Sequence, residues 1–140
     1  MDKKLIKIII IVGIIIMIGL ASLFINHRIN QTDEDIIKQI TASEVKDVMQ
    51  VDESVILIDT RSEDEYAEKR IPGSINIPLE FLNEIAPHII TDLNTKIIVY
   101  CESGNRSSDA ANLLAELGFT NIHDLGGIDT WPYDTTSGRG

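Results

Sequence analysis

The chain reads as an α/β domain: a central parallel sheet of about five strands with helices on both faces, preceded by one apolar helix. Three observations predict this. Between residues 36 and 133, apolar runs of strand length alternate with segments of helical periodicity, the pattern of strand–helix–strand units. The strongest runs, Val55-Ile-Leu-Ile58 and Lys96-Ile-Ile-Val-Tyr100, are continuous rather than alternating, as suits strands covered on both faces. Upstream, Ile8 to Ile25 is an 18-residue run in which only Ser22 has a polar side chain.

As a helix that run is roughly 27 Å long, close to the hydrocarbon thickness of a bilayer. Lys3, Lys4 and Lys7 precede it, whereas Arg28 alone follows before Asp33, Glu34 and Asp35. This bias places the N-terminus inside and the domain outside. Residues 1–29 are therefore expected to be a single-pass anchor. The alternative is a cleaved signal segment, read at the small residues Gly19 and Ala21, with the domain then secreted. Residues 30–35 read as a polar tether.

The domain is expected over residues 36–133. Ile36, Ile37 and Ile40 suggest a first short strand. Thr41-Ala-Ser-Glu44 is a capping box, and Val45, Val48 and Met49 fall at helical spacing, which predicts a helix over 42–49. After the Val55–Ile58 strand, Ser62-Glu-Asp-Glu65 is a second capping box, opening a short acidic helix through Glu68. Ile71-Pro-Gly73 is a turn, and Ser74–Ile77 a brief strand stopped by Pro78. Leu79–Ile90 has helical periodicity with Pro87 as an expected break. After the Lys96–Tyr100 strand, Ser107–Leu117 is an amphipathic helix stopped by Gly118. Asn121–Leu125 is a last strand, and Gly126-Gly127 opens a short final helix containing Trp131. Residues 134–140 are expected to be a disordered tail.

Charge and cysteine content narrow the function. The whole chain carries −10. Residues 31–140 hold 21 acidic side chains against eight basic ones, a net of −13, which repels phosphate backbones and argues against a nucleic-acid partner. A single cysteine, Cys101, excludes an internal disulfide framework and a Cys-rich zinc site. His27, His88 and His123 lie far apart without ligand spacing, so no metal and no cofactor is expected.

In parallel sheets the functional crevice lies beyond the carboxyl ends of the strands. That points to the loops after Ile58 and Tyr100, and Cys101 is the first residue of the second loop. A glycine-bearing polar segment, Glu102-Ser-Gly-Asn-Arg106, separates the cysteine from the helix. A loop of this length can aim several backbone N–H groups at one sulfur. The helix N-terminus adds partial positive charge and Arg106 a full one. Each stabilises a thiolate, the nucleophilic form, and also a persulfide anion.

At these residues the chain resembles a single-domain rhodanese-like protein. Four stretches carry the likeness: Ile58-Asp-Thr-Arg61 with Glu65-Tyr66, then Arg70-Ile-Pro-Gly-Ser-Ile-Asn-Ile-Pro78, then Tyr100-Cys-Glu-Ser-Gly-Asn-Arg-Ser107, and finally Leu125-Gly-Gly-Ile-Asp-Thr-Trp131. The resemblance implies sulfur transfer from a sulfane donor such as thiosulfate to a cyanide-like, thiol or protein acceptor, through a persulfide. It maps the nucleophile to Cys101 and the substrate cradle to Glu102, Ser103, Gly104, Asn105, Arg106 and Ser107. Arg106 would bind the anionic donor. Asp59 and Arg61 would support the site, either directly or as a buried ion pair fixing a turn. Glu102 departs from the basic or neutral residue many relatives carry there, and a carboxylate at that position disfavours the thiolate and repels thiosulfate unless it faces solvent. Arg70 stands where relatives commonly have His, and reads as structural.

Four residues separate Cys101 from Arg106, one fewer than in related phosphatases, whose longer loop fits a tetrahedral oxyanion. The remaining alternative is a non-catalytic docking module or a redox relay at the membrane. The run Glu63-Asp-Glu65 with Glu68 reads as a solvated helix face, His88 and His123 as surface or second-layer residues, and Trp131 as a packing anchor.

Overall fold

The computed structural model describes residues 2–138, with side chains omitted for 26–35. It divides into two units, residues 1–35 and 36–140. The first unit is helical, α1 (Lys3–Ile36) ending one residue into the second. Its segment Lys3–Ile25 is long and apolar enough to cross a bilayer, with none of it buried in the protein. A membrane anchor and a signal sequence are both compatible with it. The residues expected as a tether continue the helix, since neither glycine nor proline interrupts them.

The second unit contains β1 (Ile37–Gln39), α2 (Ala42–Val51), β2 (Ile56–Asp59), α3 (Glu63–Glu68), β3 (Ile75–Asn76), α4 (Leu79–Ile89), β4 (Ile97–Cys101), α5 (Asn105–Glu116) and β5 (Ile122–Gly127). The strands form one parallel sheet in the order β1-β5-β4-β2-β3. The continuous apolar runs serve two cores at once, because side chains alternate across a strand. Ile58, Ile97, Val99 and Ile122 face Leu82 and Ala86 of α4 and Ala110, Ala111 and Leu114 of α5. Leu57, Ile98 and Tyr100 face Val45 of α2, with Ile71 and Ile128. Each such aliphatic side chain, fully withdrawn from water, contributes about 1.5–3 kcal/mol.

Both capping boxes form. Thr41 Oγ1 accepts the Glu44 N–H and Ser62 Oγ accepts that of Glu65, while each glutamate carboxylate accepts the cap residue's own N–H. Pro87 does not break α4. It lies within the last turn, where its missing N–H forfeits a single bond to Asn83, and the helix ends two residues later. The helix after β4 begins at Asn105 rather than Ser107, because Gly104 adopts a left-handed conformation (φ +105°) and caps it. Arg106 therefore belongs to the first helical turn. Gly126 and Gly127 extend β5 instead of opening a helix, and Trp131 follows the 3-10 turn Ile128–Thr130 rather than lying inside it.

Residues 134–138, expected within a disordered tail, are tied back to the domain. Thr136 pairs with Arg70 in an antiparallel bridge, and the Gly138 N–H donates to the Ala67 carbonyl. Residues 139–140 lie outside the described residues.

Candidate active site

The carboxyl ends of β2 and β4 are adjacent, with Asp59 registered against Tyr100. The segments that follow them are thereby brought together. Cys101 is the last residue of β4, not the first of a loop, and pairs with Gly127 of β5. It is 1% exposed. A bulge in the β4–β5 pairing, between Val99 and Tyr100, sets this register. Gly126 turns the bulge with φ +84°, and its N–H is held by Asp124 Oδ1 at 2.9 Å. Bulges of this kind re-aim strand ends beside functional sites.

The chain then folds back over the sulfur. The Gly104 N–H donates to Cys101 Sγ at 3.0 Å. This is the one amide bonded to the sulfur among the described residues, where several were expected. The amides of Asn105 and Arg106 are the first of α5 and have no i−4 partner; among the described residues no protein acceptor takes them. Ser107, buried, donates its hydroxyl to the Gly104 carbonyl at 3.0 Å and closes the turn. Ser103 and Asn105 are exposed. The Glu102 carbonyl accepts the Asp129 N–H at 3.2 Å, so the turn after β5 buttresses the turn after β4.

The charged side chains are paired. Asp59, fully buried, accepts from the Arg61 backbone N–H (2.9 Å), from Nε (3.1 Å to Oδ1) and from a terminal nitrogen (2.8 Å). Arg61 also donates to Glu102 Oε2 at 3.0 Å and to the Lys69 carbonyl. Burial works against the Arg61 charge, yet the hydrogen bonds and negative charge of Asp59 more than compensate and hold it protonated. Asp59 and Arg61 thus form a buried ion pair at the turn after β2. Glu102, half exposed, points its carboxylate at Arg61.

Arg106 is held elsewhere than expected. Its two terminal nitrogens each donate to Glu65, NH1 to Oε2 and NH2 to Oε1, both at 2.8 Å. The Arg106 hydrogen bonds, opposed by partial burial, pull the Glu65 carboxyl down to about 2. Glu65 is therefore not merely part of a solvated acidic face. It was missed as a site residue because its capping role explained its presence, and its partner lies 41 residues away in sequence. Tyr100 was also missed: its hydroxyl accepts the Ile71 N–H at 3.1 Å and bonds Ser74 Oγ at 3.0 Å, tying β4 to the Ile71-Pro-Gly73 turn. A cleft of about 410 Å³ opens beside Arg106, lined by Thr60, Ser62, Glu63, Leu79, Glu80 and Phe81. His123 is half-buried with Nε2 3.0 Å from Asn121 Oδ1, and burial pushes its pKa down.

Fold and site together define an α/β domain whose central strand delivers one cysteine beneath a short turn that starts a helix. The chain belongs to the rhodanese-like domain family, whose model matches residues 41–133. It is 35% identical over 71 residues to the thiosulfate sulfurtransferase PspE of Escherichia coli, covering 51% of this chain and 68% of that protein. It is 31% identical over 78 residues to the thiosulfate sulfurtransferase GlpE of Coxiella burnetii, covering 55% and 71%. Among solved structures, a rhodanese with anions from E. coli superposes with a TM-score of 0.57 at 31% identity, covering 60% of this chain and 99% of that one. A rhodanese-related protein from Thermoplasma volcanium gives 0.61 at 28% identity, covering 71% and 97%.

Proposed function

We propose that this protein is a sulfurtransferase that carries sulfane sulfur as a persulfide on Cys101. The Cys101 thiolate attacks the outer sulfur of thiosulfate, the S–S bond of the donor breaks, and sulfite leaves with the electron pair. A cyanide-like or thiolate acceptor then attacks the terminal sulfur of the persulfide and regenerates the Cys101 thiolate. No external oxidant or reductant is consumed. The Gly104 N–H and the start of α5 favour the anionic sulfur. Asn105 and Arg106 offer backbone N–H groups to the donor, Glu102 and Ser103 form the wall, and Ser107 fixes Gly104. Asp59 and Arg61 hold the adjacent turn. The acceptor is a small thiol or a protein, and the apolar segment of α1 anchors the domain outside the membrane, its three preceding lysines remaining inside.

The observation that carries this reading is the 3.0 Å contact from the Gly104 N–H to the sulfur at the end of the central strand. The relatives named as thiosulfate sulfurtransferases support it. The full-length protein in detergent, treated with thiosulfate and weighed, is expected to gain the mass of one sulfur atom. Cys101→Ser is expected to gain none. A wild-type protein that takes up no sulfur from thiosulfate or any other sulfane donor would instead favour a docking module.

A further inference from the structure

We propose that Glu65 is a positioning residue that tunes the site toward donors carrying less negative charge than thiosulfate. The proposal rests on the sulfur-transfer reading above. Glu65 is itself anchored: Oε2 accepts the Ser62 N–H at 3.0 Å as part of the α3 capping box, and the same oxygen takes Arg106 NH1. With Oε1 on NH2, one carboxylate covers both terminal nitrogens of the guanidinium, the strong bidentate form of this contact. Arg61, the other guanidinium near the turn after β4, is taken by Asp59 and Glu102. Two guanidinium groups thus face three carboxylates. The adjoining cleft adds Glu63 and Glu80, and the recess on the other side is lined by Glu68 and Lys69 along with Arg61, Glu65 and Glu102.

An anionic donor approaching Cys101 therefore meets backbone dipoles and two neutralised guanidinium groups. The exposed Lys69 of the outer recess, in no ion pair among the described residues, stands among three glutamates and the carboxylate-bound Arg61. Repulsion scales with the donor's charge, so a monoanion suffers less than a dianion. Methanethiosulfonate is a monoanion that undergoes the same displacement: the Cys101 thiolate takes its outer sulfur, and methanesulfinate leaves with the electron pair. The ratio of kcat/KM for thiosulfate to that for methanethiosulfonate reads the charge preference directly.

Glu65→Gln keeps one oxygen, which can still take both the Ser62 N–H and Arg106 NH1, but replaces the acceptor of Arg106 NH2 with an amide NH2 and removes the charge. In full-length protein in detergent it is expected to raise that ratio about fivefold, the size of one charge acting through a few ångströms of a well-screened site. The change is expected in KM rather than kcat. Glu65→Asp, which restores the charge, is expected to return the ratio toward the wild-type value. A Gln variant that fails to fold, or one in which both donors fall together, assigns Glu65 to the fold and overturns the proposal. An unchanged ratio in an active Gln variant overturns it too. Wild-type protein that forms no persulfide with either donor sinks the sulfur-transfer reading itself, a separate result.

Discussion

Gly127 pairs with Cys101 and abuts the turn that follows it, and replacing it with alanine tests whether that contact positions the site. Its own backbone (φ −106°, ψ 140°) is open to any residue, so conformational strain plays no part. The obstruction is steric. A Cβ there would lie 2.1 Å from Asp129 Oδ1, 2.4 Å from the Glu102 carbonyl oxygen and 2.9 Å from Ser103 Cα. The Asp129 side chain can swing aside, but the other two atoms are backbone of the turn over Cys101. Restoring ordinary contact requires that turn to retreat by about 1 Å, a distance for which misplacement typically lowers a rate about a hundredfold. Overpacking costs about 1–3 kcal/mol, and loss of the Asp129-to-Glu102 backbone hydrogen bond about 1 kcal/mol more. The expected destabilisation of Gly127→Ala is therefore about 2–4 kcal/mol. Urea titrations followed by fluorescence of the single tryptophan, Trp131, give the stability, and single-turnover sulfur uptake gives the rate. Asp129→Gly added to Gly127→Ala is not expected to restore either. Wild-type stability with wild-type uptake would refute the argument, since the turn would then be free to move without consequence.

Two further predictions concern the ion pairs. Asp59→Asn leaves the guanidinium of Arg61 buried with only the half-exposed Glu102 as a charged partner, and is expected to lower stability by about 2–4 kcal/mol in the same urea titration; a loss below about 0.5 kcal/mol would show that Glu102 and the Lys69 carbonyl suffice. The Glu65 carboxyl, held down to about 2 by Arg106, contributes stability that is complete above its unfolded value near 4.5 and is lost as pH falls from there toward 2. Midpoints measured at pH 3 and pH 7 should therefore differ less in Glu65→Gln than in the wild type, and equal differences would mean that the pair does not persist in solution.

Much of the fold is local enough to be read from sequence. The capping boxes at Thr41 and Ser62 involve partners three residues apart, so they are visible before any tertiary structure exists. The continuous apolar runs around Leu57 and Ile98 mark two-faced strands because both core clusters draw on them. What escapes is set by distant contacts or by a single dihedral angle. The start of α5 depends on Gly104 turning left-handed, and the extension of β5 through Gly127 depends on the bulge against β4. Cys101 and its turn are legible because strand, glycine and helix are contiguous. The placement of Arg106 is not, because its partner arrives on α3, after a different strand. In the sequence the cap alone accounts for Glu65, whereas in the fold one carboxylate does both tasks.

The position of β4 at the middle of the five-stranded order has a mechanical consequence. Its backbone is braced by neighbours along both edges and by helices above and below, so the pedestal under the sulfur is expected to exchange its amide hydrogens last in the domain. Any breathing that admits a reactant to so enclosed an atom then has to come from the periphery, where α3 and the first turn of α4 border open solvent. The scaffold holds still while its rim yields.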